Sequence, residues 1–161
     1  KESIYMATEQ EKINNRVRMW ALGFMGMTMG IWEIIEESSV SLSPQIGAQI
    51  LKMAEKQLGL EIAGEKPEDV LVELGRIFVD EYGFAGEASV EGSDKTIRVT
   101  LKNAVGTPEF AQVLEHGVEK LFSHPFLCAG LAALARMGCK ARGNVVVDSA
   151  NHSYLVTFEL L

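Results

Sequence analysis

The stretch Phe122–Leu161, FSHPFLCAGLAALARMGCKARGNVVVDSANHSYLVTFELL, decides the fold. His124-Pro125 opens a helix over Phe126 to Met137, and its LCAGLAALA run is small and apolar nearly all round, the pattern of a helix packed closely on every side. Gly138 stops it. Beyond the stop, Ala141 to Asp148 and Ser153 to Leu161 read as two strands about a turn at Ser149 to His152. A buried helix feeding an apolar hairpin sets up a helix layer against a sheet.

Working outward, a second hairpin lies upstream. Phe84 to Glu91 and Lys95 to Asn103 alternate as strands, with Ile97, Val99 and Leu101 inward and Gly92-Ser93-Asp94 as the turn. Thr107-Pro108-Glu109 starts a helix expected to run to about Phe122. Before the hairpin, Lys66-Pro67-Glu68-Asp69 opens a helix with Val70, Leu71, Leu74, Ile77 and Phe78 on one face, ending before Gly83, its early acidic residues complementing the dipole. Another helix runs from Pro44 to Leu58, with Ser43 as N-cap and Gly59 as stop. The order helix-helix-helix-hairpin-helix(-helix)-hairpin predicts an α+β fold, an antiparallel four-stranded sheet of two hairpins packed against a helical layer.

The N-terminal helix is the unusual element. Thr8 with Glu11 forms a capping-box signature, and apolar residues recur at Ile13, Val17, Trp20, Phe24, Met27, Ile31 and Ile34. Continuous to Ser38 it would be about 46 Å long, whereas a domain of this size has a radius of gyration near ~15 Å. Either it breaks near Gly23, Gly26 or Gly30, or it projects toward a partner. Three helical glycines cost roughly 1 kcal/mol each relative to alanine, so a close helix contact or a break is expected to use them. Residues 1–40 are read as a helical extension used in dimerisation, residues 1–7 as a loose start, and residues 1–161 as a single ligand-binding domain.

Composition narrows the function. The 161 residues include 22 acidic against 15 basic ones, a net charge of −7, without the clustered positive charge that phosphate neutralisation needs, so no nucleic-acid partner is expected. Two cysteines, Cys128 and Cys139, make no disulfide framework and point to a reducing, cytoplasmic setting. The most apolar run, Trp20 to Ile35, carries Glu33 and is shorter than the ~20 residues of a bilayer span, so no membrane span is expected. No GxGxxG, P-loop, HExxH, CxxC or nucleophile-elbow pattern occurs, which counts against the common enzyme classes. His124 and Cys128 lie four apart, as do Asp148 and His152, and all four are types that bind zinc or iron. Their ordinary readings are a helix N-terminal residue, a small core residue and two turn residues.

The layout, above all Phe122 to Leu161, resembles the 4-vinyl reductase domain family, which shares its fold with small transport-particle subunits of membrane traffic and with haem-type nitric-oxide sensor domains. The resemblance rests on Cys128-Ala129-Gly130 in a helix, the Gly138 stop, a strand ending in Asp148, and a last strand bearing Tyr154 and Phe158, and it spans residues 44–161. It implies a domain that dimerises through its helices and encloses a hydrocarbon, aromatic, acyl or tetrapyrrole ligand. Some members hold a metal through a helix cysteine, a carboxylate and two later cysteines; Cys128 and Asp148 match the first two, His152 replaces the third, and the fourth has no counterpart. The acyl-carrying cysteine of the transport-particle relatives lies on an early helix, where this chain has none.

These readings converge on a homodimeric, non-catalytic regulatory or carrier domain with an apolar pocket lined by Phe78, Phe110, Phe122, Phe126, Leu127, Leu131 and Leu134. Tyr82, Cys128 and His124 are its expected polar orienters, and Cys128, Asp148, His152 and His124 its candidate zinc ligands. The alternatives are an assembly subunit docking to a partner protein without a ligand, and an accessory reductase for a vinyl or tetrapyrrole substrate.

Overall fold

Thr8 caps the first helix: its hydroxyl accepts from the Glu11 N–H at 3.2 Å while the Glu11 carboxylate accepts from the Thr8 N–H at 2.8 Å. The computed structural model describes residues 7–161; the loose start expected at residues 1–7 lies, apart from Ala7, outside the described residues. Helix α1 (Glu9–Ile35) runs its 27 residues unbroken through all three glycines, a length of about 40 Å. Of the two outcomes expected for it, projection is the one found.

The face α1 turns to the body is offset from its regular stripe, of which Phe24 and Ile31 are half-buried. Met25 and Thr28 are its buried residues, flanked by half-buried Ala21, Met29 and Trp32. At roughly 100° per residue this face is about a quarter turn from the stripe. Ile13, Val17, Trp20, Met27 and Ile34 stay exposed, Trp20 at 82% and Ile34 at 81%.

A 3-10 helix over Glu36–Leu42 leads into α2 (Ser43–Leu58). Ser43 does not cap α2. It is the first helical residue after Leu42, and its hydroxyl donates instead to the Phe122 carbonyl at 2.7 Å, a tie across the molecule. Helix α3 (Pro67–Arg76) widens into a π-turn over Ile77–Glu81, where the Tyr82 N–H reaches back five residues to the Ile77 carbonyl. Strands β1 (Glu87–Ser93) and β2 (Thr96–Lys102) form the first hairpin. Helix α4 (Thr107–Glu115) ends well before Phe122, because the chain turns at Gly117 with φ +95°, a conformation glycine adopts freely. Helix α5 (Pro125–Arg136) and strands β3 (Ala141–Asp148) and β4 (Ser153–Leu160) complete the chain.

The four-stranded antiparallel sheet has the order β1-β2-β4-β3. Register places Ile97 opposite Phe158, Val99 opposite Val156 and Leu101 opposite Tyr154, and all six are buried, so one face carries the core. Helices α3 and α5 cover that face and α2 packs on α5. Every residue of α5 from Phe126 to Leu134 is buried, as its sequence predicts. The α+β fold of two hairpins against helices is therefore the one observed.

Candidate functional site

The site is built where four pieces of chain meet. The π-turn sends the chain out through Phe84, whose carbonyl accepts from the Val105 N–H at 2.9 Å. This bond holds the segments before β1 and after β2 side by side. Gly106, at φ +78°, then turns into α4 with its α-carbon against Tyr154, where a Cβ would stand 3.4 Å from the hydroxyl. Pro125 begins α5 at the same place, and α1 passes over the top.

Two adjoining apolar clefts result, sharing Phe84, Val105 and Pro125. One, of about 340 Å³, lies under α1 between Val17, Trp20, Ala21, Phe24 and Met25 on that helix and Phe110 and Val113 on α4. The other, of about 290 Å³, lies between Ile50, Met53 and Ala54 of α2 and Phe78 and Tyr82 of the widened turn. The polar fittings are few. Tyr82 donates to Gln57 Oε1 at 2.8 Å, and Glu109 stands at the rim of the first cleft.

Behind the shared wall sits an aromatic box around His124. Its imidazole is 4.5 Å from the Tyr154 ring, 5.0 Å from Phe110 and 5.7 Å from Phe84, centre to centre. Tyr154 donates its hydroxyl proton to the Val105 carbonyl at 2.9 Å, and burial, with Glu109 nearby, pushes its pKa up. His124 caps α5: Nδ1 accepts from the Leu127 N–H at 3.4 Å, which assigns the ring proton to Nε2. That Nε2–H is buried and has no partner. Burial pushes the His124 pKa down to about 3, so the ring is neutral.

The residues read from sequence as pocket lining are thus distributed rather than gathered. Phe78 and Tyr82 line one cleft and Phe110 the other. Phe122, Leu127 and Leu131 line a separate cavity of about 500 Å³ beside β3, whose walls also carry the Lys120–Glu37 ion pair and Arg142. Phe126 and Leu134 are sealed in the core. The α1 residues, Phe84, Val105 and Pro125 were not anticipated as lining; the signal for the first was the apolar stripe at Val17, Trp20 and Phe24 together with Ala21 and Met25 beside it.

The four candidate metal ligands do not gather into one site either. Among the described residues no three His, Cys, Asp or Glu side chains gather as a metal site. The Cys128 thiol donates to the Phe122 carbonyl at 3.0 Å, and burial pushes its pKa up to about 12, so it is not a thiolate. Asp148 spends both oxygens on Asn151, at 3.1 and 2.6 Å, and those bonds hold its carboxyl below the usual range. His152 Nδ1 pairs with the Thr107 hydroxyl at 3.3 Å. With its proton on Nε2 and Nδ1 engaged, His124 offers no free lone pair to a metal. No helix among the described residues is long and apolar enough to cross a membrane.

The β1-β2-β4-β3 sheet with helices on one face has a counterpart among solved structures. The chain is similar in structure to a trafficking protein particle complex subunit 3 from Naegleria fowleri, solved covalently bound to palmitic acid, with a TM-score of 0.62, 12% sequence identity, and 93% of this chain and 96% of that chain covered. The fold kinship expected from the C-terminal segment is therefore observed. The family is a different one from the 4-vinyl reductase resemblance: residues 19–144 match the model described as "Putative rubredoxin C-terminal domain", and the chain belongs to that family. No curated protein matches the chain.

Proposed function

We propose that this protein binds a small apolar or amphipathic molecule, non-covalently, in the paired clefts, and serves as a regulatory or carrier domain rather than a catalyst. The observation that carries this reading is the clefts themselves: they adjoin, share Phe84, Val105 and Pro125, and have the size and apolar lining of ligand sites. The palmitic acid on the similar trafficking subunit supports an acyl-sized occupant. Covalent attachment is not part of the reading, since neither Cys128 nor Cys139 lines either cleft. The family description brings in redox chemistry, yet two cysteines cannot supply the four thiolates of an iron centre. This domain would serve beside such a centre, in the reducing compartment that its free thiols suit.

Native and denaturing mass spectrometry of the purified protein tests the reading, followed by titration with n-undecane. We expect extra mass lost on denaturation, or a blue shift of Trp20 emission on titration in a Trp32→Phe background. Ala21→Trp, which fills the cleft from α1, abolishes the response. A bare chain that answers to no apolar probe overturns the reading.

A second reading concerns assembly, and the α1 stripe favours it. Its spacing alternates four and three residues over Ile13, Val17, Trp20, Phe24, Met27, Ile31 and Ile34, the seam of a two-stranded coiled coil. A Cβ at Gly23, Gly26 or Gly30 would meet nothing within 4 Å, leaving room for a second copy's helix. Sedimentation of the whole chain should give a dimer that Trp20→Glu dissociates; a monomer at all concentrations refutes dimerisation.

A further inference from the structure

The buried Nε2–H of His124 is the one side-chain polar atom that the fold encloses, among the described residues, without a hydrogen-bond partner. Enclosing a donor in this way costs about 1–3 kcal/mol, and such a group calls for an explanation. Its position limits what that explanation is. The ring is held from behind, since Nδ1 is occupied by the Leu127 N–H; the imidazole therefore cannot turn over to hide its proton without uncapping α5. Two of the three rings that box it, Phe84 and Phe110, are also walls of the cleft under α1. Pro125, its chain neighbour, lines both clefts. Of those two rings Phe84 is the less buried, so it is the thinner side of the box toward the cleft it lines.

We infer that the ligand of these clefts carries a neutral carbonyl oxygen, as in a ketone, ester or quinone, which enters between Phe84 and Phe110 and accepts the His124 Nε2–H bond. The proton on Nε2 demands an acceptor, which excludes a hydrocarbon as sufficient ligand and a hydroxyl proton as the recognised group. The apolar rings and the absence of a cation in the box favour an uncharged acceptor over a carboxylate, whose desolvation the site does not compensate. His124 is thereby the specificity determinant of the site, not a metal ligand.

This inference rests on the ligand-binding reading above, and its test separates the two. The whole protein is titrated with 2-undecanone and with n-undecane, for the wild type, His124→Phe, and His124→Asn, whose side-chain oxygen keeps the cap on α5 but does not extend as far as Nε2. The preference for ketone over alkane, compared between proteins, cancels the different solubilities of the two probes. We expect it to fall about tenfold in either variant, the equivalent of one hydrogen bond. Long-range nitrogen–proton spectra of the wild type should place the His124 proton on Nε2 and show its resonance moving on addition of 2-undecanone but not of n-undecane. Equal preference in all three proteins, or a proton found on Nδ1, overturns the carbonyl assignment while undecane binding leaves the apolar-ligand reading standing. Failure of both probes to bind the wild type overturns both.

Discussion

Helices α2 and α5 approach where Gly47 lies against the backbone of Cys128. A Cβ on Gly47 would stand 1.8 Å from the Cys128 carbonyl oxygen, 2.3 Å from its carbon and 2.9 Å from the Ala129 nitrogen. Ordinary contact begins at 3.4 Å, so Gly47→Ala forces the two backbones apart by about 1.5 Å in an interior packed as densely as a crystal. Helix α5 has no room to retreat, because it is pressed on its other side against the sheet, where even a Cβ at Gly130 would meet Phe158 at 2.4 Å. Overpacking of this kind costs about 1–3 kcal/mol and more where backbone must move, against roughly 1 kcal/mol returned by the better helix former. The expected net loss is about 2 kcal/mol, or roughly 4–8 °C in Tm for a chain of this length. Thermal melts followed by circular dichroism read it directly. Gly26→Ala is the internal comparison, since nothing lies within 4 Å of its Cβ, and it should raise the monomer's Tm by about 2–4 °C. A Gly47→Ala protein that melts at or above the wild type would refute the packing argument.

Three further outcomes follow from the same packing. Because the folded pKa of His124 is pushed down to about 3 from 6.5, the stability it contributes is whole above pH 6.5 and is lost as pH falls toward 3, at up to about 1.4 kcal/mol per pH unit; urea midpoints should drop more steeply across this window in the wild type than in His124→Asn, and parallel profiles would contradict a neutral buried ring. Native protein treated with a thiol reagent should label Cys139 and spare Cys128, which is buried, with both labelled after denaturation; prompt labelling of both would refute the sealed thiol. Glu55 joins α2 to α5 through Arg136, at 2.6 and 3.1 Å, and accepts from the Ile62 N–H at 2.9 Å, and the Arg136 bond foremost holds its carboxyl below the ordinary 4.5. Glu55→Gln should therefore cost about 1 kcal/mol at neutral pH, a gap that closes as pH falls through the lowered pKa; a gap unchanged at pH 3 would rule out the ion pair as its source.

The capping box of Thr8 and Glu11, the burial of α5 and the inward set of Ile97, Val99 and Leu101 were legible because each is a local rule with one solution. The docking face of α1 was not, since apolar residues occur on two sides of that helix and periodicity ranks the more regular side first. Ser43 reads as a cap by type and position, yet the distant Phe122 carbonyl claims its hydroxyl. The end of α4 was signalled by Gly117 and overridden by the apolar residues beyond it. For the site, the residue types were readable and their grouping was not. Phe110 and Phe122 are close in sequence, but the turn after α4 sends them to different cavities. His124 was legible as a helix-capping residue; its unpartnered Nε2 depends on Phe84, Phe110 and Tyr154 arriving from three other parts of the chain.

The strand order has a consequence for how the chain comes into being. Strand β4 lies between β2 and β3, yet it is the last of the four to be synthesised. Until it emerges, the first hairpin presents the open edge of β2, and α5 waits without Phe158 against Gly130. An unpaired edge beside an apolar face invites association with other nascent chains. The β4 segment thus acts as a closing wedge: one insertion pairs both neighbouring strands, seals the core and brings Tyr154 against His124, so the sheet and the aromatic box are completed in the same event.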